Sequence, residues 1–129
     1  MTEKMRTHLY RRGEERMQEI LGNKAKEIIQ NIETVHPEFA DLLVEMAYGT
    51  LYTRGAIEDR FLEVAAVSSL ISQGLFGPPL QSHFKGMMKA GMSRAEVGEI
   101  LIFLINYVGF AKVVRSLEDF ASIAPAEKK

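Results

Sequence analysis

Across residues 57–73 the sequence shows almost no polar face, and its centre reads Phe61, Leu62, Glu63, Val64, Ala65, Ala66, Val67. A helix exposed to water carries a polar stripe, so a segment without one must be wrapped by protein on nearly every side. A chain of 129 residues can rarely enclose more than one such element. A second apolar run follows at 100–108, so subunit association is expected to cover what one copy cannot. The one carboxylate at the centre of the first run, Glu63, conflicts with its neighbours and marks the first place to look for chemistry.

The remaining segments read as helices around this one. Met5, Leu9, Met17, Ile20 and Leu21 recur at helical spacing, Gly22 and Asn23 end or kink that helix, and Ala25, Ile28, Ile29 and Ile32 resume the pattern. Pro37 after His36 suits a first helical position. Phe39, Leu42, Leu43, Met46 and Ala47 then predict one buried stripe fading near Gly49, followed by a loop over 50–56. Gly77, Pro78 and Pro79 break the chain after the Glu63 helix, and Leu80, Phe84, Met87, Met88 and Gly91 share a face of the next one. Ser93 with Glu96 predicts a capping box opening a helix that runs to about Tyr107. Gly109 stops it, and Phe110, Val113, Val114, Leu117, Phe120 and Ala121 predict a last amphipathic helix. No segment alternates long enough to be a strand. The expectation is an all-α fold, a single-domain antiparallel array of about six helices over residues 1–123, with a disordered tail over 124–129.

Composition narrows the function classes. Sixteen basic side chains against seventeen acidic ones give a net charge of −1, too balanced to draw the chain to nucleic acid or anionic lipid. There is no cysteine, which removes disulfides, thiolate metal sites and cysteine nucleophiles. The charged N-terminal stretch lacks the apolar centre of a signal peptide, and no eighteen-residue apolar run exists, so a cytoplasmic location is expected.

Glu63 admits two readings. Burial disfavours the ionised form of a carboxylic acid, which suits such a group to handling a proton near neutral pH. Alternatively Glu63 pairs with a cation, Arg60 or an arginine across a subunit boundary. His83, at the margin of an apolar face, is either a satisfied core histidine or a working imidazole. The breaker at 77–79 folds its helix back on that of Glu63, so the two side chains can meet in one pocket. Tyr48, Tyr52 and Tyr107 either aim a hydroxyl into a cleft or bridge core and solvent. Asn106, among Leu104, Ile105 and Val108, is expected to hold a buried hydrogen bond. Glu58, Asp59 and Glu63 have no zinc-site spacing with any histidine, and no HExxH occurs, so no metal is expected. No phosphate loop, serine elbow or dinucleotide fingerprint is present.

Several short runs, in this order and spacing, resemble the carboxymuconolactone decarboxylase family. They are His36-Pro37-Glu38-Phe39, Ala47-Tyr48-Gly49, the Arg60 to Glu63 helix, Gln81-Ser82-His83 leading to Gly86 and Ala90-Gly91, Arg94-Ala95-Glu96, and Tyr107-Val108-Gly109-Phe110. The likeness spans about Arg12 to Phe120. It implies an all-helical, alkylhydroperoxidase D-like (AhpD-like) subunit, a homotrimer or homohexamer, and a cofactor-free pocket near subunit contacts. The activity it implies is loss of carbon dioxide from a carboxylated muconolactone in aromatic-compound breakdown. In the related alkylhydroperoxidase D-like branch a glutamate, a CxxC pair and a histidine relay protons, and Glu63 and His83 fall where that glutamate and histidine would. The cysteine pair would fall near Phe76 to Pro79 and is absent, so thiol peroxidase and disulfide reductase chemistry is excluded. Leu62 also stands where decarboxylase-like members commonly carry a basic residue.

Together these readings predict a cofactor-independent lyase acting on a small-molecule carboxylate, a lactone or keto acid. Glu63 and His83 are the expected catalytic residues, with Arg54, Arg60, Tyr48 and Tyr107 binding substrate. The alternative is a non-catalytic oligomeric protein that binds a small molecule on the same scaffold.

Overall fold

A computed structural model describes residues 6–124. Among these residues it is all-α, with seven α-helices, one π-helix and no strand. No described helix is long and apolar enough to cross a membrane. Where a single domain was expected over 1–123, the chain divides into two compact units, Met1–Ala56 and Ile57–Lys129. The expected tail lies, from residue 125 on, outside the described residues. Ala124 itself is buried, and its carbonyl accepts from Arg94 Nε at 3.1 Å.

In the N-terminal unit, α1 (His8–Leu21) begins where the Thr7 hydroxyl accepts from the Tyr10 N–H. Gly22, at a φ of 64°, ends it, and α2 (Lys24–Val35) follows as a separate helix. Next come α3 (Pro37–Leu42), with proline in its first turn, and the π-helix Leu43–Leu51. The π-helix takes the chain past Gly49 into the segment expected to be loop. Its wider turn shows in the backbone bond from the Tyr52 N–H five residues back to the Ala47 carbonyl at 2.9 Å, and the Thr50 hydroxyl adds a side-chain bond to the Glu45 carbonyl at 3.0 Å.

Two glycines set how closely α1 packs against the π-helix. A Cβ on Gly13 would run into the Val44 carbonyl, and one on Gly49 would stand 2.5 Å from the Leu9 carbonyl. Tyr10, Met17, Ile20, Ala25, Ile29, Ala40, Val44 and Tyr48 make the core beneath this crossing. The stripe predicted from Phe39, Leu42 and Met46 instead faces outward, at 65%, 58% and 58% exposure.

The C-terminal unit holds α4 (Asp59–Gln73), α5 (Pro78–Lys89), α6 (Arg94–Val108) and α7 (Phe110–Ile123). Gly74, left-handed at a φ of 73°, ends α4. The capping box of Ser93 and Glu96 opens α6 with both of its hydrogen bonds formed. The core gathers Val67 and Ile71 of α4, Leu80, Phe84 and Met87 of α5, Val97, Leu101 and Leu104 of α6, and Val113 and Phe120 of α7. Here too part of the predicted stripe turns out. Val114 and Leu117 are exposed while Ser116 and Asp119 are buried. Ile102, Phe103, Tyr107 and Phe110 leave a broad apolar surface on α6 and the start of α7.

Candidate active site

Glu63 shares the inward stripe of α4 with Val67 and Ile71, at four-residue spacing, and is 1% exposed. One of its oxygens, Oε2, lies 2.9 Å from Nδ1 of His83 on α5. The other, Oε1, is buried without a hydrogen-bond partner. Leaving such an oxygen unsatisfied costs on the order of 1–3 kcal/mol, so the arrangement is not what stability alone would select. His83 is more open, its side chain keeping 17% of its surface in solvent.

What lets the carboxyl in is Gly86, three residues after His83 on the same helix. A Cβ there would stand 2.8 Å from Oε2 and 2.9 Å from Cδ of Glu63. The carboxyl therefore lies against bare helix backbone, with the imidazole on one side. When Glu63 is ionised the shared proton resides on Nδ1, which donates to Oε2 and makes Nε2 the basic nitrogen of a neutral ring. The pair can thus fix one tautomer of an imidazole that keeps part of its surface in solvent.

Within the same unit, neither Arg60 nor Tyr107 bonds to this pair. Arg60 does not bond Glu63; its Nε donates to Glu58 at 2.9 Å, and its guanidinium lies over the Phe61 ring. Within the chain, the side chain that meets Glu63 is His83 and not Arg60. Tyr107 is 75% exposed and packs on Phe103. Asn106, expected to be buried, is exposed. Tyr48 and Arg54 belong to the N-terminal unit. There Tyr48 is buried and stacks on Tyr52 at 4.9 Å, while Arg54 is exposed in the segment after the π-helix. That unit also has an open cleft of about 330 Å³ lined by Arg12, Glu15, Arg16, Glu19, Tyr52, Thr53 and Gly55, of which the sequence singled out Tyr52 alone.

Sequence reasoning passed over Asp119, which is 3% exposed on α7. Its carboxylate accepts from the Gly77 N–H at 3.0 Å and from Gln81 Nε2 at 2.9 Å, both at the start of α5. The signal was its spacing, three residues after Ser116 and six after Val113, on the face those two bury.

The carboxymuconolactone decarboxylase family model matches residues 37–119, a span that includes Glu63, His83 and Asp119. No curated protein matches the chain. Where the related branch carries its cysteines, residues 76–79 read Phe-Gly-Pro-Pro. With well over half its length matched in this way, the chain belongs to the carboxymuconolactone decarboxylase family, as a member without thiols.

Proposed function

We propose that the protein is a cofactor-independent lyase that releases carbon dioxide from a small carboxylated lactone or keto acid. The observation that supports this is the 2.9 Å contact between a fully buried carboxyl and a partly exposed imidazole. In the reaction the bond between the substrate carbon and its carboxylate breaks, carbon dioxide leaves, and a neighbouring carbonyl holds the electron pair as an enolate. A proton must then reach that carbon. His83, the more accessible of the pair, acts in its doubly protonated form: Nε2 delivers its proton as general acid and regains one from solvent, while Glu63, accepting from Nδ1, holds the ring and balances its charge. Substrate carboxylates call for a cation, and within this unit Arg60, one turn before Glu63 on α4, is the candidate.

His83→Asn should lower turnover on the order of 10²- to 10⁴-fold, the range for loss of a positioned acid. Glu63→Gln should lower it less, and carbon dioxide release is the measurement. Unchanged turnover in both variants refutes the assignment. The engagement of Arg60 by Glu58 favours a second reading, a binding protein on the same scaffold. Lactones or keto acids that raise the melting temperature without releasing carbon dioxide would select it.

Self-association belongs to the same proposal. The exposed Phe103, Tyr107 and Phe110 supply an apolar surface of the kind a second copy covers, and assembly as a trimer or hexamer is the form we propose.

A further inference from the structure

Among the described residues of the C-terminal unit, two carboxylates are buried, Glu63 on α4 and Asp119 on α7, and both bond to α5. The sequence of α5 anchors its own start poorly. Its cap is Gly77, which has no side chain to bond the first turn, and the next two residues are prolines without an N–H. The anchor comes from α7. Asp119 Oδ2 accepts from the Gly77 N–H, Oδ1 accepts from the Gln81 side chain, and the Arg115 guanidinium stands 3.6 Å from Oδ2. The carboxylate also sits where the positive end of the α5 dipole favours it.

We propose that Asp119 is a positioning residue for the Glu63–His83 pair, setting the rotation of α5 that brings Nδ1 to Oε2. This rests on the reading of that pair as the reacting groups. Gln81 precedes His83 by two residues, so fixing one fixes the angular setting of the other. Side-chain atoms lie about 5–6 Å from a helix axis, and a turn of about 10° therefore moves them by about 1 Å. That displacement takes a 2.9 Å contact beyond hydrogen-bonding range. On the opposite side the helix cannot yield by moving inward, because Gly86 already lies against the Glu63 carboxyl. Asp119 touches no reacting group and acts only through the helix it holds.

The test is nitrogen NMR of the full chain labelled at histidine, in mildly alkaline buffer where free imidazoles are neutral. His83→Asn identifies the His83 signals among those of the three histidines. In the unmodified protein the ring should report one tautomer, with the proton on Nδ1. In Asp119→Ala it should move toward the mixed tautomers of the exposed His8 and His36. Turnover should fall on the order of 10- to 100-fold, in kcat more than KM, as expected for a misplaced acid. Val97→Ala makes a cavity elsewhere in the same core and should leave the His83 signals in place, which separates positioning from general loss of stability.

If Asp119→Ala does not fold, Gln81→Leu removes one of the two clasp bonds and should shift the same signals part of the way. A folded Asp119→Ala, or failing that a folded Gln81→Leu, with His83 signals identical to the unmodified protein overturns the proposal. Shifted signals, in a protein whose His83→Asn variant keeps full turnover, uphold the clasp and refute the proton-transfer reading instead.

Discussion

Replacing Gly86 by alanine should destabilise the protein, although alanine is the better helix former. In a helix interior the exchange alone favours alanine by about 1 kcal/mol. Here the new methyl would stand 2.8 Å from Oε2 of Glu63, and reaching ordinary contact at 3.4 Å requires the carboxyl to shift by about 0.6 Å. Directed away from His83, that shift stretches the 2.9 Å contact to about 3.5 Å, where it ceases to be a hydrogen bond. Both oxygens of Glu63 would then be buried without a partner, because Oε1 has none already.

The lost bond costs about 1–3 kcal/mol. Overpacking costs about 1–3 kcal/mol more. Subtracting the propensity gain leaves a net loss of about 1–5 kcal/mol. For a chain of this size the melting temperature should fall by about 3–6 °C per kcal/mol.

Gly98, inside α6, is the matched control, since nothing lies within 4 Å of its would-be Cβ. Gly98→Ala should raise the melting temperature, and thermal unfolding followed by circular dichroism compares the two. Gly86→Ala melting at or above the unmodified protein would refute the claim that bare backbone is what admits the carboxyl.

Ser93→Ala should cost about 1 kcal/mol of stability through loss of the α6 cap, read by denaturant unfolding. The Ser93 backbone N–H, and then its hydroxyl, hold the Glu96 carboxyl below its ordinary value of 4.5. The stabilisation from Glu96 is therefore complete above that value and lost as pH falls through the lower folded one, so the difference between the unmodified protein and Glu96→Ala should shrink on acidification. Burial raises Tyr10 above its ordinary 10.0, against the lowering effect of nearby Arg6. Its contribution is intact below that value and is lost as pH rises from there through the higher folded one, and Tyr10→Phe should flatten the alkaline stability loss. If the proposed self-association uses this surface, Phe103→Glu together with Phe110→Glu should reduce the mass measured by light scattering from a multiple of the chain to that of one chain; an unchanged mass, or an unmodified protein that already has the mass of one chain, would refute it.

Signals local in sequence were legible, and those that depend on distant partners were not. The capping box is a four-residue pattern, and both of its hydrogen bonds are present. The breakers at 77–79 do separate α4 from α5, and a carboxylate in an apolar run does meet the imidazole across that break. Which face of a helix turns inward was harder to read, because apolar residues lie on both. Val114 and Leu117 are more hydrophobic than Ser116 and Asp119, yet the latter two are buried. An exposed apolar face and a core look alike in hydropathy. Asp119 was passed over because its partners, a backbone N–H and an amide, lie about forty residues away. Arg60 stood one turn before Glu63 and was a reasonable partner for it, but Glu58 and the Phe61 ring hold it on the outside.

The π-helix at Leu43–Leu51 has a consequence for comparing this chain with others. Each of its turns takes up more residues than an α-turn, so every side chain beyond it is rotated relative to an uninterrupted α-helix. A homologue with an ordinary helix at this place would present the same core positions with fewer residues. The correct gap in such a comparison falls inside the helix, and an ungapped pairing would equate Tyr48 and Gly49 with residues that point elsewhere. Equivalence on either side of that segment is best judged by which glycine meets which carbonyl, because a close backbone crossing cannot slip by one residue unnoticed.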